Sequence, residues 1–105
     1  MIEVNVSYDL LPNVDMKAYK EWVKKAVEVM AKQPGMMEFR ANRNILGAPQ
    51  IRTSSMWRSL EDWAKYDQSN TWHQMEAELR GFATNVKVEL WGPSPLVSEP
   101  VRSAR

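Results

Sequence analysis

His73 and Tyr66 are the side chains in this sequence best suited to handling a proton, and they stand among an unusual density of indoles. His73 is the sole histidine, so it is the one side chain whose unperturbed charge change falls near neutrality. Tyr66 carries a phenolic hydroxyl that can orient a substrate oxygen. Three of the five tryptophans, Trp57, Trp63 and Trp72, flank Tyr66. Large aromatics at this spacing form core, or they line an apolar pocket that holds a flat molecule. Trp72 shares a helical stripe with Met75, Leu79 and Phe82, which reads as core. Trp63 and Tyr66 come earlier, beside the polar run Asp67-Gln68-Ser69-Asn70, where a bend opens room for a cavity. His73 lies about 100° around a helix from Trp72 and shares a mostly polar face with Glu76, Ala77 and Arg80, which is the setting of a solvated histidine.

Other chemistries leave no trace. His73 and Glu76 supply two metal ligands at most, and no second histidine completes a common zinc or iron site, so neither metal nor cofactor is expected. Cysteine is absent, which removes thiolate nucleophiles and disulfides and fits a reducing, cytoplasmic compartment. There is no nucleophile elbow, phosphate loop or dinucleotide fingerprint. The 14 basic and 13 acidic residues leave a net charge of +1. No nucleic-acid partner is expected from that balance, and the aromatics of an RNA-recognition motif are missing. Arg40, Arg43, Arg52 and Arg58 form a basic run that suits carboxylate or phosphate recognition, or pairs with Glu3, Glu38 and Glu89 along a solvated edge. No segment is apolar enough to span a bilayer, and the first ten residues alternate where a signal peptide would not, so neither membrane nor leader is expected.

The elements that must position these side chains are legible in the periodicity. Ile2, Val4, Val6 and Tyr8 alternate with Glu3, Asn5, Ser7 and Asp9, a half-buried strand. Apolar residues from Met16 to Met30 recur at helical spacing, with Asn13 or Asp15 as cap and Pro34-Gly35 as terminator. Met36 to Asn44 reads as a strand with Met37, Phe39 and Ala41 on one face, and Gln50 to Arg58 as its partner with Ile51, Thr53, Ser55 and Trp57 inward. A four- or five-residue loop joins them. Ser59-Leu60-Glu61-Asp62 has the form of an N-terminal capping box for a second, bent helix that Gly81 closes. Asn85 to Trp91 alternates as a last strand.

A strand-helix-strand pattern given twice, with a central hairpin, yields the α+β ferredoxin-like βαββαβ fold: a four-stranded antiparallel sheet with two helices on one face. The 105 residues hold one core, so residues 1–95 are read as the domain and residues 96–105 as a C-terminal tail. The other face of the sheet is mixed: Glu3, Asn5, Glu38, Arg40, Arg52, Ser54, Lys87 and Glu89, with Met36, Met56 and Trp91 as apolar exceptions.

Pro34-Gly35 leading into a strand, the stretch Met56-Trp57-Arg58-Ser59-Leu60-Glu61-Asp62-Trp63 and the following Tyr66 to Trp72 resemble the dimeric α/β-barrel proteins. Within them the resemblance is to the antibiotic biosynthesis monooxygenase-like group, and it covers residues 2–91. It implies a homodimer whose sheets press together into a barrel, with a pocket in each protomer between sheet and helices. It also implies oxygenase chemistry on electron-rich aromatic substrates without flavin or metal, and, where a bulge inverts the pleat that otherwise puts Asn5 on the polar face of the first strand, Asn5 or Ser7 as a donor to a substrate oxygen. Haem-degrading relatives use an Asn on the first strand with a Trp and a His ten residues apart, which Asn5, Trp63 and His73 match in spacing. Aligned on Trp57 and Ser69, however, Tyr66 takes the Trp position and Glu76 the His position. The haem chemistry is therefore not carried over.

Two functions fit this sequence. One is a cofactor-independent, monooxygenase-like enzyme for a small aromatic or polyketide-like molecule, with Tyr66, His73 and Asn5 as catalytic candidates and Trp57, Trp63 and Trp72 as substrate contacts. The other is a non-catalytic homodimer that binds a small apolar ligand or a protein partner, since the group's motif histidine is missing.

Overall fold

A computed structural model describes residues 1–104 of the chain. The elements run β1 (Ile2–Leu10), α1 (Met16–Ala31), β2 (Met36–Arg43), β3 (Ile51–Trp57), α2 (Leu60–Asp67), α3 (Asn70–Leu79) and β4 (Ala83–Trp91). The four strands form one antiparallel sheet in the order β2-β3-β1-β4. This is the ferredoxin-like arrangement, with the second helix divided in two.

Local signals account for most boundaries. Asp15 caps α1, accepting from the backbone N–H of Lys17 at 3.0 Å and Ala18 at 3.2 Å. Ser59 caps α2 by accepting from Asp62 N–H at 3.1 Å. The capping box is incomplete: the Asp62 carboxylate turns to Arg58, at 3.0 Å, instead of reaching back. After α1, Gly35 adopts φ +86, and a Cβ there would overlap the Asp62 carboxyl group. That position therefore needs glycine on two counts. Asn44 N–H donates to the Gln50 carbonyl at 2.9 Å, so residues 45–49 form the hairpin loop.

Two irregularities depart from simple alternation. Met36 pairs with Trp57 and Glu38 with Met56, so Met37 is the extra residue of a bulge. It follows that Met36 faces the helices and packs on Trp57 and its neighbours, while Met37 is 56% exposed, the reverse of the expected placement. On β4, Asn85 and Val86 together oppose Tyr8. Asn85 takes φ 56, and its amide donates to Asp9 Oδ2 at 3.2 Å. Asparagine tolerates this left-handed backbone better than other non-glycine residues.

The core lies between the sheet and the helices in two neighbouring clusters. One is built on Tyr8, Tyr19, Leu79 and Ala83. The other is built on Val4, Trp57 and Tyr66. Met75 and Leu79 are each 2% exposed, as the α3 stripe requires. Phe82 is not on the helix. It lies in the turn after α3, half-buried, with its ring 5.7 Å from that of Tyr19. Val88 and Leu90 stay partly exposed on the inward face because β4 is an edge strand that the helices cover incompletely. No helix among the described residues is long and apolar enough to cross a membrane.

Candidate ligand cavity

The break between α2 and α3 sets the geometry of the site. Ser69 donates its hydroxyl to the Tyr66 carbonyl at 2.6 Å and accepts from Trp72 N–H at 3.1 Å, ending one helix and capping the next. One side chain thereby fixes the backbone at both aromatics. Tyr66 is left stacked on Trp57, with ring centroids 5.5 Å apart and planes inclined by 24°, and Trp72 lies 5.6 Å away on a tilt of 40°. Trp57, 1% exposed, donates its indole N–H to the Ser55 hydroxyl at 2.9 Å. Both residues come from β3, whose alternation points them toward the helices.

These residues wall a cavity of about 40 Å³ between the sheet and α2–α3, closed by Val4, Trp63, Asp67 and Glu76. Its lining residues are mostly aromatic and aliphatic, with Ser55, Thr53, Tyr66, Asp67 and Glu76 as the polar or titratable members. The Tyr66 hydroxyl is buried and has no hydrogen-bond partner among the described residues. Burial pushes its pKa up to about 12, so it remains a neutral donor at physiological pH. A buried hydroxyl left unpaired costs about 1–3 kcal/mol. A ligand oxygen in the cavity would offset that cost.

A second cavity of about 90 Å³ lies between α1 and the sheet, lined by Tyr8, Tyr19, Phe39 and Leu79 among others. Its polar atoms are already matched, since the Tyr8 and Tyr19 hydroxyls are 2.6 Å apart and hydrogen-bonded to one another. Val6, Met30, Thr53 and Trp72 border both cavities. The interior is thus one apolar layer partitioned at Met30 and Trp72, whose side chains would have to shift for a ring to fit the first space. Methionine, with three rotatable bonds and no branch, is suited to such a shift.

The sequence candidates divide sharply. Trp57, Trp63, Tyr66 and Trp72 converge on the first cavity. Asn5 does not. The pleat that turns Val4 inward turns Asn5 to the opposite face of the sheet, where it accepts from the Ser54 hydroxyl at 2.6 Å. No bulge inverts β1 at that point, since Val4, Asn5 and Val6 pair in continuous register with β3 and β4. His73 is exposed on α3, outside the cavity wall. Asn5, Trp63 and His73 are therefore not gathered into one site. Ser55, Asp67 and Glu76 enter the wall without having been singled out as contacts. Ser55 had a visible signal, being a polar residue in the inward register of β3. Among the described residues no three His, Asp or Glu side chains cluster to hold a metal ion.

No protein-family model matches the chain, and no curated protein matches it by comparison. Solved structures do. A candidate antibiotic biosynthesis monooxygenase from Deinococcus radiodurans superposes with a TM-score of 0.81 at 8% identity, over 100% of both chains. SnoaB, a cofactor-independent oxygenase from Streptomyces nogalater, gives 0.76 at 11% identity, covering 89% of this chain and 92% of its own. An Arabidopsis thaliana protein gives 0.78 at 15% identity, over 89% and 88%. At these identities the likeness establishes the fold, the one that the sequence resemblance implied.

Proposed function

We propose that this chain is a cofactor-independent, monooxygenase-like enzyme that acts on a small electron-rich aromatic or polyketide-like molecule held in the Trp57–Trp63–Tyr66–Trp72 cavity. The observation that carries this reading is the buried Tyr66 hydroxyl without a partner in a wall of indoles. The large majority of buried side-chain hydroxyls in cores are paired, so an unpaired one marks a place for a ligand or water oxygen. Sharing a fold with SnoaB supports the reaction class.

The chemistry asks little of the protein beyond binding and orientation. Conversion of a ring methylene to a carbonyl, CH2 + O2 → C=O + H2O, balances without an external reductant, because the carbon supplies all four electrons. Stacking indoles hold the ring, and Tyr66 donates to a substrate oxygen on which negative charge grows as the C–H proton leaves, before those electrons pass to O2. The active form is a homodimer joined through the mixed sheet face, on which Arg52 and Glu3 have no ion-pair partner among the described residues. The test is oxygen uptake with hydroxyaromatic substrates in metal-free, flavin-free buffer. Uptake that tracks product and falls in Tyr66→Phe supports the proposal, and saturable binding without product would establish the alternative, a ligand-binding homodimer. The exposed position of His73, the sole histidine, is the observation that favours that alternative.

A further inference from the structure

We propose that the cavity selects by charge, taking a neutral or cationic aromatic ring that bears a hydrogen-bond acceptor and excluding a ring that carries a carboxylate. This rests on the reading of the cavity as the ligand site. Apart from Tyr66, the titratable side chains on its wall are both acids, Asp67 and Glu76, and no Lys, Arg or His lines it. Asp67 has no ion-pair partner among the described residues. Glu76 has Arg80, but at 4.0 Å, and that guanidinium side chain is 60% exposed. A solvated cation at that separation neutralises the carboxylate weakly. Asp67 is half-buried and the Glu76 side chain is 36% exposed, so the two carboxylates act on a ligand from the rim of the cavity, with screening only partly reduced from that at the open surface.

The hydrogen-bond inventory sets the polarity that accompanies this charge. The Trp57 indole can only donate, and it donates to Ser55 at 2.9 Å. Ser55 thus uses an acceptor site there, and its own proton meets no acceptor among the described residues. With Tyr66 this makes two neutral O–H donors on one wall. Both are satisfied by a carbonyl, an amide oxygen or a phenol. A carboxylate would accept as well, but it would bring a full negative charge beside Asp67 and Glu76. The hydroxyls therefore ask for an acceptor, and the acids disfavour a ligand that arrives already carrying a full negative charge.

Benzamide, benzoate and benzamidine share one ring and one outline and differ in charge, which makes them the probes. Each is titrated into the full chain by NMR, with the indole N–H signals of Trp63 and Trp72 reporting occupancy of the site. The expected order is benzamidine at least as tight as benzamide, with benzoate weaker than benzamide by about tenfold or more. In Asp67→Asn/Glu76→Gln benzoate should come within about threefold of benzamide. Benzoate equal to benzamide in the natural protein overturns the charge selection and leaves the cavity reading standing. A preference that persists in the double variant overturns it too, since its origin would lie elsewhere. No binding of any probe overturns both. If the double variant does not fold, a benzamide-to-benzoate ratio in the natural protein that narrows with added salt supports the proposal, and a ratio indifferent to salt overturns it.

Discussion

Ser69 holds Tyr66 by its carbonyl at 2.6 Å, and in doing so positions a phenol that nothing else in the described chain hydrogen-bonds. The backbone at Tyr66 is firmly tied while its functional end is free, which is the arrangement expected of a residue kept for a ligand.

Tyr66→Phe removes a hydroxyl that already lacks a partner, so stability should stay within about 1 kcal/mol or rise. Ligand binding or turnover should weaken. Urea unfolding read beside oxygen uptake separates the two effects. His73→Ala is the control, expected to cost no more than about 0.5 kcal/mol and to leave activity unchanged. Activity that survives Tyr66→Phe and disappears in His73→Ala would show that the chemistry lies outside this cavity.

Ser69→Ala removes the N-cap of α3 and the bond to the Tyr66 carbonyl together. A loss of about 1–2 kcal/mol is expected from the cap. Near-ultraviolet circular dichroism should change as well, because Tyr66 and Trp72 shift relative to Trp57. A spectrum and a stability both unchanged would show that the break does not depend on this side chain.

Met30→Ala should join the two cavities. Met30 is half-buried, so the cost in stability is put at about 1–3 kcal/mol, below that of a fully buried methionine. In return, aromatic probes should associate faster, since the side chain that must move is gone. Stopped-flow quenching of indole fluorescence checks this, and an unchanged association rate would mean that entry runs by another route.

The homodimer is tested by charge. The natural protein at micromolar concentration should sediment at about twice 12.2 kDa, and Arg52→Glu should shift it to the monomer, because burying unpaired like charges costs several kcal/mol. A natural protein that sediments cleanly as a monomer rules out the barrel.

Alkaline pH should unfold the protein through its buried phenols. Burial raises the pKa of Tyr66 from 10.0 to about 12 and raises those of Tyr8 and Tyr19. The folded state therefore retains protons that the unfolded chain gives up above pH 10. Stability is full below that pH and falls as pH rises, by roughly 1.4 kcal/mol per unit between 10 and 12 from Tyr66 alone. Urea midpoints measured across this window should decline, and Tyr66→Phe should make the decline shallower.

Strand and helix order, the cap at Ser59, a cap of α1 at Asn13 or Asp15 and the break near Ser69 were legible in the sequence, because each is set by contacts within a few residues. The period of two in Ile2–Tyr8 and the stripe Met75–Leu79 survive folding unchanged, since the side that is buried follows from the backbone repeat. The capping box at Asp62 was half legible. Its serine acts locally, while its carboxylate answers to Arg58 at the end of the neighbouring strand and to the space left at Gly35.

What only the tertiary structure decided are the relations between segments far apart in the chain. The bulge at Met37 depends on register against β3, and it exchanges Met36 for Met37 on the core face, which alternation alone cannot reveal. The spacing of Asn5, Trp63 and His73 imitates a site, yet the sheet separates Asn5 from the cavity and helix rotation carries His73 to solvent. Ser55 from β3, Tyr66 and Asp67 from α2 and Glu76 from α3 become one wall when the helices close on the sheet. Periodicity states which face a residue takes. Which other face it meets is settled by packing, where shape and the pairing of buried polar groups select a single arrangement.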